Sequence, residues 1–415
     1  MRKKKCIMVI GDGLGDRPVE LLQGRTPLEV AKKPVINMLS SNGMTGLVHP
    51  YRPGIRVGTD VGHFCIFGYE PEEIYSGRGP IEAFSAGIEL EAGDVAFRAN
   101  FATVSEDLTV IDRRAGRIRE GTGLLAESLN GIEVEDCKIF VKELTEHRTA
   151  IVIRGDGLSD MVTDTDPGTA HEGEKVKKPL PTENTPEAEK TARILWKFLM
   201  RAHEILKGHP VNIERQKKGF LPANFLITRG AGKFKKIEKI TERFKIKVAC
   251  IAGDKTILGI GKMCGFDVFT SSRFTGSFDT DYKSKALMAL QKINEGYDLV
   301  VVHVKATDLA GHDNAPLKKI EAIENIEAIF SLLYSNIDRS NTYLCLTADH
   351  TTPCSVRDHT CDPVPVFIWG NDIRKDGIQE FGEEYIKSGS LTGYTAKELF
   401  YTLMDFMGYT EKYGA

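Results

Sequence analysis

Three short apolar runs in this chain end in the same chemistry, and that recurrence restricts the fold more than any other feature. Cys6–Ile10 runs into Gly11-Asp12-Gly13. Leu299–Val304 runs into Thr307-Asp308 and His312, and Tyr343–Leu346 runs into a loop carrying Asp349, His350 and His359. Continuous apolar segments of strand length suit strands buried on both faces of a parallel sheet. Open α/β sheets bind their ligands beyond the carboxyl ends of such strands. Taken alone, Asp12 reads as an acidic turn residue, and a single Asp-x-x-x-His is a weak signal. Three strand ends carrying carboxylates and imidazoles together predict that the ends meet around metal ions.

The spacing of the donors supports this. Asp308 and His312 are four apart, so one helical turn puts both on one face. An oxygen and a nitrogen ligand so arranged suit Zn²⁺ or Mn²⁺. Asp349 and His350 are adjacent and are expected to ligate from a loop. Gly58-Thr59-Asp60 precedes an apolar, helix-like run, Val61–Tyr69. That puts the Thr59 hydroxyl at a helix N-terminus, where free N–H groups and the dipole favour an anion. An N-cap is the ordinary role for such a threonine, and His63, one turn further on, reads as a packed histidine. With the other donors in view, two sets emerge. Asp308, His312 and His359 would hold one ion, and Asp12, Thr59, Asp349 and His350 the other. Two ions about 3.5–4 Å apart can stabilise the attacking and leaving oxygens of an in-line phosphoryl displacement. A hydroxyl on such an ion loses its proton more readily and becomes a competent nucleophile.

Arginines supply the complementary half. Arg78, Arg98 and the run Asp112-Arg113-Arg114-Ala115-Gly116-Arg117 follow one another, and His147-Arg148 precedes a strand. The guanidinium fork matches phosphate and carboxylate oxygens in pairs. The net charge is only −3, so an arginine cluster beside glycines points to a small anionic substrate and away from nucleic acid. Asp164, Asp166 and His171 read as a solvated loop.

At 415 residues the chain is long enough for more than one domain. The strand-and-turn rhythm stops near residue 94 and restarts near 222 with Asn224–Arg229 and Lys247–Ala252. This predicts one α/β domain, 1–94 and 222–415, interrupted by an inserted substrate-binding domain, 95–221. In the insert, Thr185 and Pro186 start one long amphipathic helix through Leu206. Thr26-Pro27 starts a helix, and Thr395-Ala-Lys-Glu398 is a capping box. No run approaches the ~18 apolar residues of a membrane span. Lys3-Lys4-Lys5 lies before an apolar run that stops at Ile10, so no export signal is expected. The eight scattered cysteines lack a Cys-x-x-Cys pair and read as reduced core residues of a cytoplasmic protein.

The stretches IGDGLGDRP, GRTPLEVAKKPVINML, IFGYEPEEIYSGRGPIEA, VAFRANFAT, DRRAGRI, NFLITRGAG, KATDLAGHDN and TADHTTPCSVRDHTCDPVPV occur in order over nearly the whole chain. With them the chain resembles the archaeal-type cofactor-independent phosphoglycerate mutases of the alkaline phosphatase superfamily. The resemblance implies an alkaline-phosphatase-like α/β core with a largely parallel sheet flanked by helices, interrupted by a smaller α+β domain. It implies two divalent ions, Mn²⁺ foremost with Zn²⁺, Co²⁺ or Mg²⁺ as other candidates, and no 2,3-bisphosphoglycerate. It implies interconversion of 3-phosphoglycerate and 2-phosphoglycerate through a phosphorylated hydroxyl, in glycolysis and gluconeogenesis. The family pattern puts ligands at Asp12, Thr59, Asp308, His312, Asp349, His350 and His359, and substrate contacts at Arg113, Arg114, Arg117 and Arg148. The family usually reads Gly-Ser-Asp where this chain has Gly58-Thr59-Asp60. The alternatives are a phosphomonoesterase or kinase-like relative on the same scaffold, or a metal-binding homologue without catalysis. Oligomeric state is not readable from the sequence.

Overall fold

A computed structural model describes residues 3–168 and 173–414. Its strands are β1 (Lys5–Gly11), β2 (Met44–Val48), β3 (Val95–Val104), β4 (Val110–Asp112), β5 (Glu133–Val134), β6 (Cys137–Glu143) and β7 (Arg148–Arg154). They continue with β8 (Phe225–Lys233), β9 (Val248–Ile251), β10 (Asp267–Phe269), β11 (Leu299–Val304), β12 (Thr342–Thr347) and β13 (Val364–Trp369). The chain divides into two compact units, residues 1–73 with 238–415, and residues 74–237.

The first unit is an α/β layer structure around a seven-stranded sheet in the order β10-β9-β11-β1-β12-β13-β2. The five strands from β10 to β12 are parallel, and β13 runs antiparallel to both its neighbours. β1 lies between β11 and β12, with Gly11 opposite Val304 and Ile10 opposite Thr347. The three apolar runs are therefore neighbours, and they end level with one another. Ile7, Val9, Val300, Val301, Val302, Leu344 and Leu346 are all fully buried. Each such side chain stabilises the sheet by about 1.5–3 kcal/mol, so a Val301→Asp change would unfold this layer. The helix Pro316–Asn336 ties the layer to the N-terminal segment. Its Glu327 accepts the Val35 and Ile36 N–H groups at 2.8 Å each, capping the helix Pro34–Ser41 that lacks a capping side chain of its own.

The second unit is a six-stranded antiparallel sheet in the order β4-β3-β7-β6-β5, with β8 on β3. On one face Val95, Phe97, Ala99 and Phe101 of β3 share a core with Ile194, Leu195, Phe198 and Leu199 of the helix Pro186–Lys207. On the other, Ala96, Ala150 and Val152 pack with Ala83 and Ile88. This second core corrects the sequence-based boundaries. The helix Arg78–Ser85 covers the far face of β3, and β8 is a strand of this sheet, so 74–94 and 222–237 belong with the insert.

Thr185 caps the long helix through the Ala188 N–H, and Thr395 and Glu398 form the reciprocal capping box. Thr26 and Glu29 form another before Pro27–Val30. The helix expected over Val61–Tyr69 runs Thr59–Ile66. All eight cysteines are free thiols, and seven are buried. Among the described residues no helix is long and apolar enough to cross a membrane.

Candidate active site

The first unit gathers Asp12, Thr59, Asp308, His312, Asp349, His350 and His359 at the carboxyl ends of β1, β11 and β12. Glycines allow the close approach. Gly13 has φ +62°, and a Cβ there would lie 2.9 Å from the Asp308 backbone. A Cβ on Gly62 would lie 2.3 Å from the Asp349 carbonyl oxygen, so the helix that starts at Thr59 can sit against the β12 loop only with glycine there.

The tautomers can be read from hydrogen bonds, and they determine what the cluster can hold. His312 Nδ1 lies 2.9 Å from the Arg357 carbonyl, and His359 Nδ1 lies 3.0 Å from the Val57 carbonyl. Carbonyls only accept, so each Nδ1 carries the proton and each Nε2 of a neutral ring presents a lone pair. Those two Nε2 atoms are 3.3 Å apart, and they lie 3.3 and 3.6 Å from Asp308 Oδ1. Three lone pairs converging at this distance call for a cation. The hydrogen bond to Asp308 raises the His312 pKa to about 9, so without an ion a proton competes for the Nε2 position that a cation would take.

The neighbouring group has the same character. Thr352 Oγ1 lies 2.7 Å from Asp308 Oδ1, to which it donates, and 3.0 Å from His350 Nδ1, from which it accepts. His350 Nε2 is therefore unprotonated and accepts. It sits 3.1 Å from Thr59 Oγ1, 3.4 Å from Asp12 Oδ1 and 3.2 Å from Asp349 Oδ2. Neither of those two carboxylate oxygens has a hydrogen-bond partner, and both residues are fully buried. Burial, and after it Asp349, pushes the Asp12 carboxyl up, while His350 and His63 hold Asp349 down against its own burial. Buried orphan oxygens facing an imidazole lone pair are a donor set that fits a divalent cation.

Asp308, His312 and His359 form one convergent group, and Asp12, Asp308 and His350 form another. Asp308 faces both groups, while Asp349 presents its orphan oxygen to His350.

Two residues were not anticipated. Lys305 Nζ lies 2.9 Å from Asp12 Oδ2, 2.7 Å from Asp308 Oδ2 and 3.4 Å from Thr59 Oγ1. Burial works against its charge, but Asp12, Asp308 and Asp349 outweigh that and raise its pKa. It sits one residue past the end of β11, a position the sequence argument had credited only to acids and imidazoles. His303 is hidden inside the apolar run of β11 and puts Nε2 2.9 Å from Asp12 Oδ2. Burial, then His63, holds it well below the usual range, so it is a neutral donor. His63 is buried as expected, with Nδ1 2.7 Å from the Thr59 carbonyl and 3.3 Å from Asp349 Oδ2.

In the second unit, Arg113, Arg114, Arg117 and Arg148 line one cavity of about 410 Å³, joined by Arg98 and Arg229. Arg113 directs a two-point fork at Asp166, 2.7 and 2.6 Å, and both side chains are buried. Asp166 therefore belongs to a buried ion pair and not to a solvated loop; His171 lies outside the described residues. His147 also lines the cavity, and burial followed by Arg148 and Arg114 lowers its pKa to about 4. It is a neutral imidazole among guanidinium groups. The backbone that presents Arg114 and Arg117 is strained. Ala115, Gly116 and Arg117 have φ of +46°, +66° and +56°. Left-handed conformation costs a non-glycine residue roughly 1–2 kcal/mol.

A family profile described as 2,3-bisphosphoglycerate-independent phosphoglycerate mutase matches residues 40–212. The chain is 43% identical over 417 residues to a Methanocaldococcus jannaschii protein of that name, covering 100% of both. It is 44% identical over 419 residues to one from Methanopyrus kandleri, covering 100% of this chain and 99% of the relative. The solved cofactor-independent phosphoglycerate mutase of Thermoplasma acidophilum superposes with a TM-score of 0.76 at 35% identity, over 98% of this chain and 100% of that one. A Pyrococcus horikoshii protein gives 0.85 at 34% identity over 100% of both. Full-length identity at this level, on a site built as described, makes the chain a member of the 2,3-bisphosphoglycerate-independent phosphoglycerate mutase family.

Proposed function

We propose that this protein interconverts 3-phosphoglycerate and 2-phosphoglycerate through a phosphorylated Thr59, with two divalent metal ions and no bisphosphoglycerate. The observation that carries the reading is the pair of orphan carboxylate oxygens, Asp12 Oδ1 and Asp349 Oδ2, gathered with the unprotonated His350 Nε2 beside one hydroxyl at a helix N-terminus. His312, His359 and Asp308 would hold one ion. Asp12, Thr59, Asp349 and His350 would hold the other, with Asp308 facing both. When bound, the ions supply positive charge that polarises a phosphoryl group and acidifies the hydroxyl. A mixed carboxylate and imidazole set suits Zn²⁺ or Mn²⁺, with Co²⁺ and Mg²⁺ as the others, and the family resemblance puts Mn²⁺ first.

The chain's own groups do the rest. Thr59 Oγ1 gives up its proton to solvent and attacks phosphorus as the bond from phosphorus to the substrate oxygen breaks; His350 Nε2, 3.1 Å away, would be occupied with the ion and does not take that proton. Lys305 lies 3.4 Å from the same oxygen and offsets charge that builds there. The departing glycerate oxygen takes a proton. The other glycerate hydroxyl then attacks phosphothreonine, restoring Thr59. The arginines of the second unit, Arg113, Arg114, Arg117 and Arg148, match the carboxylate and phosphate oxygens of such a substrate. Thr59 in place of the family's usual serine keeps the attacking oxygen and adds a methyl that narrows χ1.

Purified protein with Mn²⁺ and 3-phosphoglycerate, without bisphosphoglycerate, tests this. Appearance of 2-phosphoglycerate is expected. Free phosphate without the isomer would make the protein a phosphomonoesterase, and no turnover of any phosphomonoester would end both readings.

A further inference from the structure

From the strained turn that carries Arg114 and Arg117, we infer that Arg215 is a positioning residue for the anion cavity, holding that turn in its left-handed conformation. The inference rests on the substrate reading of the cavity. Both Arg114 and Arg117 are exposed, and no hydrogen bond or ion pair among the described residues holds either guanidinium. Their direction is therefore set by the backbone at 114–118. That backbone is a tight turn closed by the Ile118 N–H on the Arg114 carbonyl at 3.3 Å, with three consecutive left-handed residues, two of them not glycine. Such a conformation persists only where the surroundings over-determine it.

The surroundings here converge on one side chain. Arg215, in the helix Pro210–Lys217, donates through Nη2 to the Ala115 carbonyl at 3.0 Å and through Nε to the Leu221 carbonyl at 3.0 Å. An arginine in the last turn of a helix commonly serves that helix's own free carbonyls. This one serves a carbonyl one hundred positions earlier in the chain. Its guanidinium lies 5.7 Å from the centre of the Phe220 ring. Phe220 in turn donates its N–H to the Arg215 carbonyl at 2.9 Å. One planar fork thus ties the segment after the helix to Ala115 in the arginine turn. Ala115 is fully buried, so its carbonyl has no free exchange with bulk water if the fork is removed. Without Arg215 the turn is expected to relax toward right-handed or extended backbone, which redirects Arg114 and Arg117 together.

Full-length wild type, Arg215→Ala and Arg215→Lys should be compared by amide hydrogen exchange without substrate, and by steady-state kinetics with 3-phosphoglycerate. Exchange should speed up at 114–118 in Arg215→Ala with the β-strands unchanged. KM should rise about 10- to 100-fold, the range spanned by losing a charge-assisted hydrogen bond, with kcat within about twofold. Arg215→Lys keeps one donor and should fall between, and it carries the test if the alanine variant does not fold. Added millimolar guanidinium should bring the alanine variant's KM back toward wild type. Wild-type exchange at 114–118 and wild-type KM in a folded variant would overturn the inference, as would parallel loss of kcat and thermal stability without a local exchange change. If wild type shows no mutase turnover, the functional reading fails, and exchange at 114–118 still decides the role of Arg215.

Discussion

Lys319 sits in the first unit with its side chain fully buried, and what it holds gives a worked prediction. Its Nζ donates to the Gly15 carbonyl at 2.8 Å, to Asp16 Oδ2 at 2.9 Å and to the Thr352 carbonyl at 2.9 Å. Asp16 is equally buried and accepts the Arg17 N–H at 2.9 Å and the Cys354 N–H at 3.1 Å. The ammonium thus fastens the loop after β1, which carries Asp12, to the loop after β12, which carries Asp349 and His350. Lys319→Met leaves a buried carboxylate with backbone donors but no counter-charge. Removing one partner of a buried pair costs about 3–5 kcal/mol, a large share of the 5–15 kcal/mol that holds a typical domain folded. The two tryptophans separate the units, since Trp196 lies in the second and Trp369 on β13 in the first. Urea unfolding of the Trp196→Phe protein, followed by Trp369 fluorescence, therefore reports on the layer in question. Lys319→Met should lower its stability by several kcal/mol and weaken divalent binding. Adding Asp16→Asn should recover part of the loss, because the uncompensated charge is then gone. A loss under ~1 kcal/mol, or a double variant as unstable as the sum of the singles, would refute the reasoning.

Other expectations follow from the two sites. Thr59→Ala should lose turnover by about 10⁴-fold or more while calorimetry still finds divalent binding, whereas Thr59→Ser should stay active. His312→Ala or His359→Ala should abolish tight binding at one of two divalent sites in a calorimetric titration and leave the other measurable. His147 is neutral in the folded protein with its pKa lowered to about 4, against about 6.5 unfolded. Its contribution to stability is therefore full above about pH 6.5 and is lost as pH falls toward 4, up to roughly 3 kcal/mol. In the Trp369→Phe protein, unfolding of the second unit followed by Trp196 should show that decline, and adding His147→Gln should flatten it.

The residues that were legible from sequence are those where chemistry stands at the end of a pattern. Asp12, Asp308, Asp349 and His350 each follow an apolar run, and parallel pairing of β11, β1 and β12 brings the ends together. Lys305 stands at an equally informative place, but a lone lysine after a strand looks like a solvated charge until the acids around it are located in space. His303 interrupts an apolar run by one residue, and periodicity cannot show that its ring reaches Asp12. The Arg113–Asp166 pair joins positions 53 apart, a separation to which local patterns are blind. The boundary error has a similar origin. The helix Arg78–Ser85 precedes the first strand of the second unit's sheet, and only its packing on β3 assigns it to that unit. That Asp308 belongs to both convergent groups depends on how its carboxylate is turned, with Thr352 donating to Oδ1, and spacing does not show this.

The central claim is that phosphate passes through Thr59, and capture of the phosphoenzyme tests it most directly. Protein loaded with Mn²⁺ would be mixed with 3-phosphoglycerate labelled in its phosphate, quenched within a turnover, and its peptides mapped by mass. The account predicts label on Thr59 that chases into 2-phosphoglycerate when unlabelled substrate is added. Turnover to 2-phosphoglycerate with no label on Thr59, or with label on another residue, would contradict it.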